Sequence, residues 1–194
     1  MRVFIVYAHP SENSFTHHVK DSFITGLEYS GHNVVVSDLY RMHFQTDMSE
    51  SEYLREAMYR KDLPLPPDVQ AEQKKIIESD AITFIYPVFW SDAPAKLVGW
   101  FDRVWTFGFA YGKDRIMTPL YKGLVLCVAG NTMQYFKETG LLDSMQRVML
   151  EDRLFDRVKT KEMIIFDATS REYPDRESNW ERHLQRAFDT GRNF

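Results

Sequence analysis

Polar side chains follow the first apolar run of the sequence, Val3–Tyr7, in the stretch His9–Thr16. A helical pattern starts within this stretch, and the free N–H groups and dipole of a helix N-terminus favour an anion. His9 adds a donor, which becomes a positive charge if the ring is protonated beside a phosphate. The same spacing also fits a helix cap at Asn13 or Ser14, so an anion site and a simple cap both remain open. The Gly-x-Gly-x-x-Gly pattern of a Rossmann dinucleotide site is absent.

A second loop, "YPVFWSDAP", places two large aromatic residues, Phe89 and Trp90, directly after an apolar run. At the end of a strand, one of two adjacent aromatic side chains must face outward. A flat ligand ring can lie against such a side chain, with backbone N–H groups on its polar edge. The alternative is that Trp90 covers a neighbouring loop or a partner chain.

A third loop, "AGNTMQYF", is small and polar and then presents Tyr135. Gly130 permits close approach of a backbone, and Asn131 and Thr132 supply hydrogen-bonding groups for the edge of a ring. The alternative reading is a strand-to-helix turn with an N-cap, in which Tyr135 only packs near the helix start.

These three loops come after strands of one predicted sheet. The apolar runs predict strands, which are Val3–Tyr7, Asn33–Ser37, Ala81–Tyr86, Gly123–Val128 and Glu162–Phe166. Helical patterns separate them, so we expect a single α/β domain, residues 1–194, with a doubly wound parallel sheet in the flavodoxin-like order 2-1-3-4-5. Ligands of such sheets bind outside the carboxyl ends of the strands, where all three loops lie.

Helical patterns lie between the predicted strands. The apolar spacing of Phe15, Val19, Phe23 and Leu27 predicts a helix that Gly31 follows. The other predicted helices are Glu50–Arg60, Val69–Ser79, one that begins near Pro94, Gln134–Asp152 and Asn179–Thr190. The polar stretch 42–67 is interpreted as an excursion over one edge of the sheet.

The helix after Pro94 carries apolar residues around well over half of its circumference, including Trp100 and Trp105. A surface helix needs only a narrower apolar stripe. We therefore expect a second subunit to cover the segment Pro94–Tyr111.

Bulk properties restrict the class of protein. The net charge of −4 argues against a nucleic-acid partner, which would need a basic stripe. No segment resembles a signal peptide or reaches the ~20 apolar residues of a membrane helix, so a cytoplasmic location is the expectation. Cys127, the one cysteine, lies in an apolar run and is interpreted as a buried thiol.

Six pieces of the sequence together resemble the NAD(P)H:quinone reductase family of flavodoxin-like flavoproteins. They are "YAHPSENSF", "VVVSDLY", "DVQAEQKKIIESDAITFIYP", "FW", "PAKLVGWFDRVW" and "GFAY", and they lie in order between about residues 3 and 112. After Tyr111 the likeness thins. In length the chain is similar to the short bacterial members, which include soluble subunits of glutathione-gated potassium efflux systems.

The resemblance implies a flavin site and gives roles to individual residues. The phosphate would be held by His9, Ser14, Phe15 and Thr16; the ring would be lined by Pro87, Val88, Phe89 and Trp90, with Ala129, Gly130, Asn131 and Thr132 at its polar edge. Tyr135 resembles the family's active-site tyrosine. The histidine that follows this tyrosine in many relatives is missing from "YFKETGLLDSM". No metal site is expected.

The function that the resemblance implies is ping-pong transfer of two electrons from NAD(P)H through the flavin to a quinone or another flat acceptor. We expect FMN, with FAD as the alternative because a partner chain can supply a missing wall, and a homodimer. The main alternative is a regulatory flavoprotein on a membrane potassium efflux protein. A one-electron flavodoxin-type carrier and a flavin-free interaction protein are the further alternatives.

Overall fold

Five parallel strands form one sheet in the order β2-β1-β3-β4-β5, which confirms the predicted topology. The computed structural model describes all residues from Met1 to Phe194. The strands are β1 Arg2–Tyr7, β2 Asn33–Asp38, β3 Ala81–Pro87, β4 Leu120–Val128 and β5 Val158–Phe166. β4 and β5 begin earlier than their apolar runs, because polar residues such as Lys122 and Thr160 continue the pairing.

Seven α-helices and one π-helix connect and cover the strands. They are α1 Phe15–Tyr29, α2 Glu50–Ala57, α3 Pro67–Ile77, α4 Ala95–Val104, α5 Met133–Glu138, α6 Leu141–Gln146, the π-helix Arg147–Leu154 and α7 Arg176–Arg192. One apolar core joins α1 and α7 to one face of the sheet, and a larger core joins α3, α4 and α5 to the other. β3 is buried along its whole length, as expected of a strand covered on both faces.

The N-terminus of α1 confirms one of the two predicted caps. The hydroxyl of Ser14 accepts a hydrogen bond from the N–H of His17 at 3.1 Å, so Ser14 rather than Asn13 is the N-cap. Gly31 follows the helix in the left-handed region with φ +76°, a conformation that glycine adopts without steric cost. The cap fixes where the first free N–H groups of the helix lie.

The predicted helix Gln134–Asp152 is wrong as a single element. Gly140 adopts φ +73° and ends α5, and the hydroxyl of Thr139 donates to the carbonyl of Tyr135 at 2.7 Å. The chain then continues as α6 and widens into the π-helix, which ends at Leu154. Apolar periodicity persists through all three segments, which is why the sequence pattern does not reveal the breaks.

The excursion between β2 and α3 packs against α4 within the same chain. A Cβ atom on Gly99 of α4 would lie 2.6 Å from the carbonyl oxygen of Thr46, so the two backbones touch. Arg103 of α4 pairs with Glu52 of α2 at 2.7 Å and with Asp68 of α3 at 2.6 Å. These contacts join the excursion to the sheet as one unit.

The wide apolar face of α4 is therefore buried within the chain itself, without a second subunit. Trp100 is completely buried and Trp105 nearly so, against strands, Phe44 of the excursion and the π-helix. The reasoning that assigned these side chains to a dimer interface does not hold for them. No helix combines the length and the apolarity that crossing a bilayer requires.

Candidate functional site

The three polar loops lie side by side at the carboxyl edge of the sheet. β1 is paired with β3, and β3 with β4, in parallel register, so Tyr7, Ile85 and Leu126 stand in one row across the sheet. Adjacent strands are ~4.8 Å apart, which places the loops after β1 and β4 roughly 10 Å from each other. The loop after β3 lies between them.

The first loop presents unpaired backbone donors at the start of α1. The N–H groups of Phe15 and Thr16 have no hydrogen-bond acceptor in the protein, and the helix dipole adds partial positive charge at this end. The ring of Phe15 is stacked on Trp180 of α7 with centroids 4.5 Å apart. Phe15 therefore offers a ligand its backbone rather than its ring.

The Nδ1 atom of His9 faces the backbone of Ser11. It lies 2.9 Å from the amide nitrogen and 3.0 Å from the carbonyl oxygen of Ser11, so it accepts from the N–H in one tautomer and donates to the carbonyl in the other. Burial lowers the pKa of His9, although the hydrogen bond with the Ser11 carbonyl opposes this shift. In the absence of a bound anion, these surroundings favour the neutral ring.

The hydroxyl of Tyr7, beneath this loop, also lacks a hydrogen-bond partner. Tyr7 is 1% exposed, its hydroxyl has no hydrogen-bond partner, and it lies beside the Ser14 hydroxyl. Burial raises the pKa of Tyr7, so the hydroxyl stays protonated. Buried polar groups without partners are rare, and they mark places where a partner such as a ligand is missing.

The second loop is a tight turn, Phe89–Asp92, which we call the aromatic turn. The N–H of Phe89 donates to the carbonyl of Asp92 at 2.9 Å, and the N–H of Asp92 donates back at 3.0 Å. Its central residues, Trp90 and Ser91, have φ values of +51° and +62°. Asn-Gly is the usual pair in such a turn, and a residue with a side chain held in this region costs about 1–3 kcal/mol.

The two strained residues of the aromatic turn are also the ones whose backbone N–H groups are unpaired. The N–H groups of Trp90 and Ser91 have no acceptor. The Trp90 side chain is 101% exposed and Phe89 is 47% exposed, so both aromatic residues face outward. Strain that coincides with unpaired donors and an unburied indole is typical of a ligand site.

The third loop is fixed by the segment that follows β5. The N–H of Ala168 donates to the carbonyl of Asn131 at 2.9 Å, and the carboxylate of Asp167 accepts from the N–H of Met133 at 2.7 Å. Ala129 is buried, and its carbonyl accepts hydrogen bonds from Thr169. The N–H groups of residues 130–132 are left without acceptors.

A pocket of about 420 Å³ lies between the aromatic turn and the third loop. It is lined by Val88, Trp90, Ser91, Gly130, Asn131, Tyr135, Phe136, Leu141, Ser170 and Glu172. Thr132 caps α5 by accepting from the N–H of Tyr135 at 3.2 Å, and the Tyr135 side chain is 43% exposed. A larger hollow between β5 and α7 has a mostly charged and polar lining without an aromatic wall.

The structure brings five of the predicted site residues into this pocket: Val88, Trp90, Gly130, Asn131 and Tyr135. The other predicted residues do not line it. His9, Ser14, Phe15 and Thr16 belong to the first loop; Pro87 and Ala129 are buried at strand ends; Phe89 and Thr132 shape the turns.

Ser170 and Glu172 are pocket residues that the sequence analysis missed. They belong to the polar segment after β5, "DATSREY", which also lies at the carboxyl edge of the sheet. Because strand five ends at the same edge as the others, its polar loop was the signal that could have predicted this wall.

The unpaired groups of the site match the chemistry of a flavin nucleotide. The first loop offers the N–H groups of Phe15 and Thr16 and the His9 ring, which suit a phosphate. The other two loops offer free N–H groups beside an exposed aromatic side chain, which suit a flat ring with an acceptor-rich edge. The first and third loops lie roughly 10 Å apart with the aromatic turn between them, on the scale of one such ligand.

Comparison with known proteins identifies the family. The family model described as a flavodoxin-like fold matches residues 1–188. The human ribosyldihydronicotinamide dehydrogenase [quinone] is 33% identical over 157 residues, which are 72% of this chain and 68% of that protein. The chain belongs to the NAD(P)H:quinone reductase family of flavodoxin-like proteins. The resemblance found in the sequence is thereby confirmed.

A solved structure supports the same assignment along the whole chain. The NAD(P)H:quinone oxidoreductase from Methanothermobacter marburgensis is 47% identical, with a TM-score of 0.92, and the match covers 100% of this chain and 95% of that one. NAD(P)H dehydrogenase [quinone] 1 of Cavia porcellus is 37% identical over 123 residues, 57% of this chain. The chain spans only 45% of that relative's length.

A more distant structure agrees in fold alone. An FMN-dependent NADH-azoreductase from Bacillus anthracis, described in complex with FMN, has a TM-score of 0.71 at 14% identity and is covered over 98% of its chain.

Proposed function

We propose that the protein is a flavin-dependent NAD(P)H:quinone oxidoreductase. One observation carries the proposal: unpaired backbone donors and an exposed indole converge on one pocket, in a chain that is 47% identical to a protein described as an NAD(P)H:quinone oxidoreductase. A bound flavin would supply two-electron hydride chemistry between NAD(P)H and the acceptor. The residues of the chain bind it, orient it and leave one side open for the two substrates.

Each loop has a separate task in this proposal. Phe15, Thr16 and His9 donate hydrogen bonds to the phosphate, while the aromatic turn and the third loop donate to the polar edge of the ring. The pocket beside Tyr135 accepts the nicotinamide and then the quinone, both of which are flat. A single stacking place serves both substrates in turn, which fits a ping-pong sequence.

Purification tests the proposal directly. We expect a yellow protein with about one flavin per chain, which reduces a simple benzoquinone with NADH or NADPH as donor. A colourless protein that takes up no added flavin would contradict it. A protein that holds flavin but reduces no quinone would support binding and contradict the proposed activity.

FMN is the proposed form of the flavin, with FAD as the alternative. The fit described above needs one phosphate, and the Phe15 ring is already stacked on Trp180, so this side of the first loop is closed by protein. A neighbour of the same fold is described in complex with FMN. Mass spectrometry of the released cofactor decides between the two, and a majority of FAD would overturn the preference.

We also propose that the protein is a homodimer, for a reason other than the buried tryptophans of α4. Tyr53, Met58 and Tyr59, on and after α2, are each more than 60% exposed. A cluster of large apolar side chains on one surface segment is unusual for a monomer and typical of an interface. A cytoplasmic location stays a prediction of the sequence, to be checked by cell fractionation.

The regulatory alternative finds no support among the relatives reported above, which are described as dehydrogenases or oxidoreductases. We therefore do not carry it further.

A further inference from the structure

The aromatic turn has an acidic residue at its last position that does not line the pocket. One carboxylate oxygen of Asp92, Oδ1, accepts from the N–H of Ala93 at 2.7 Å and from the Arg153 guanidinium at 2.9 Å. The bond with Arg153 attaches the turn to a part of the chain that is distant in sequence. Since the turn holds two side-chain-bearing residues at positive φ, such an attachment opposes its relaxation.

Arg153 is itself held in place from several directions. Its guanidinium lies 5.0 Å from the centroid of the Phe101 ring, and its Nη1 is 3.2 Å from the sulfur of Met149. Its carbonyl accepts from the indole N–H of Trp105 at 2.8 Å. The Arg153 side chain is 13% exposed, so it is a fixed anchor rather than a mobile surface group.

Arg153 lies in the last turn of the π-helix, which ends at Leu154. The last carbonyls of a helix have no partner within it, and the N–H of Arg157 bonds to the carbonyl of Leu154 rather than to that of Arg153. The Arg153 carbonyl instead accepts from the Trp105 indole at 2.8 Å and from the Arg157 guanidinium at 3.4 Å, which ties the last turn of the π-helix to the end of α4. Widened turns of this type occur often at functional sites.

We propose that Arg153 is a positioning residue for the flavin: by its ion pair with Asp92 it holds the aromatic turn in the strained form that points two free N–H groups toward the ring. The proposal rests on the flavin site proposed above. Arg153 does not line the pocket, and it acts only through Asp92. Without the pair, the turn keeps the bond from Ala93 but loses its anchor to the π-helix.

Two substitutions and a matched control test the proposal. Asp92→Asn keeps an oxygen for the Ala93 N–H but loses the charge, and Arg153→Met keeps the apolar contacts of the stem. The control is Arg115→Met, which breaks the Arg115–Asp156 pair; its partners are 19% and 54% exposed, close to the 13% and 47% of Arg153 and Asp92.

Amide hydrogen exchange in the flavin-free protein is the first measurement. We expect the N–H groups of Phe89 and Asp92 to exchange about fivefold faster in Asp92→Asn and in Arg153→Met, a factor in keeping with a pair that is partly exposed. The double variant should be no faster than either single one, because the two residues act as a unit. Arg115→Met should leave these amides unchanged.

Flavin titration is the second measurement, and we expect the flavin Kd to rise about fivefold in the same variants. Unchanged exchange in the turn would overturn the proposal, whatever the Kd does. Faster exchange with an unchanged Kd would show that Arg153 holds the turn but does not influence flavin binding, which contradicts its role as a positioning residue for the flavin. If the native protein binds no flavin at all, the proposed function fails, while the exchange data still decide whether Arg153 holds the turn.

Discussion

His9 is a residue whose role depends on its protonation state. Because burial lowers its pKa, the neutral ring persists below the usual histidine pKa of about 6.5. We expect His9→Ala to weaken flavin binding about 10-fold, the loss of one hydrogen bond together with support of the Ser11 N–H. As a control, His18→Ala, which removes an exposed histidine of α1, should have no effect. Fluorescence titration of flavin measures both.

The pH dependence of this effect distinguishes a neutral donor from a charged one. If His9 bound the phosphate as a cation, the advantage of the native protein over His9→Ala would grow as the pH fell through 6.5. We expect a constant ratio of the two Kd values between pH 8 and about 6.5. A ratio that increases several-fold on acidification would contradict the neutral assignment.

Tyr135 brings a phenolic hydroxyl to the pocket wall, and no histidine follows it in α5 or α6. A donor placed where negative charge develops lowers the barrier, and loss of one such donor can cost ~10²–10³ in rate. We expect only about 10-fold slower flavin reduction by NAD(P)H in Tyr135→Phe, because free N–H groups of residues 130–132 remain. Stopped-flow bleaching measures this rate, and an unchanged rate at normal flavin content would make Tyr135 structural.

Among the elements, α4 carries a buried arginine, Arg103, that pairs with two carboxylates. Arg103 is 4% exposed and its partners, Glu52 and Asp68, come from α2 and α3. We expect Arg103→Met to lower the free energy of unfolding by about 3 kcal/mol, because Glu52 is left buried without its partner. Arg60→Met, which breaks the exposed pair with Asp62, should produce no measurable change. Urea denaturation compares the two.

The ion pairs of Arg103 with Glu52 and Asp68 also predict how the stability of the fold changes as the pH falls. Burial alone would raise the pKa of Glu52, but hydrogen bonds from Ser49 and Arg103 bring it below its usual value. The pKa of Asp68 is also lowered, by Arg103 against the effect of burial. Carboxylates with lowered pKa values stabilise the fold above about pH 5, and this contribution is lost as the pH falls through 4. Arg103→Met should therefore show a shallower fall of Tm over this range.

The sequence predicted the elements wherever the signal was local. The Ser14 cap, the Gly31 end of α1 and the buried run of β3 depend on neighbouring residues, and all three are confirmed. The buried position of Trp100 could not be predicted, because its contacts Phe4, Phe84 and Glu72 lie on other elements that are distant in sequence. The loops of the site were predicted from strand ends, and the polar loop after β5 carried the same signal for the pocket wall at Ser170. The contacts between loops, such as that of Ala168 with Asn131, depend on the pairing of β5 with β4 and could not be predicted.

At the scale of the whole molecule, the excursion carries exposed aromatic side chains, whereas the tryptophans of α4 are buried. Tyr53 is 61% exposed and Tyr59 is 66% exposed, while Trp100 is fully buried, so a change there would disturb the core rather than test an interface. A closed dimer has a two-fold axis, so one apolar patch is used by both copies. An interface large enough for a stable dimer would bury this patch.

We therefore expect Tyr53→Glu to convert a dimer into a monomer with an intact fold. The side chain faces solvent in the isolated chain, so a charge there does not disturb the core, whereas in a dimer it would be buried without a partner. The matched control is Tyr29→Glu, a tyrosine 75% exposed at the end of α1, which should remain dimeric. Analytical ultracentrifugation at micromolar concentration measures the mass, and circular dichroism checks the fold. If the native protein sediments as a monomer, the dimer proposal is wrong; if Tyr53→Glu stays dimeric, the interface lies on another surface.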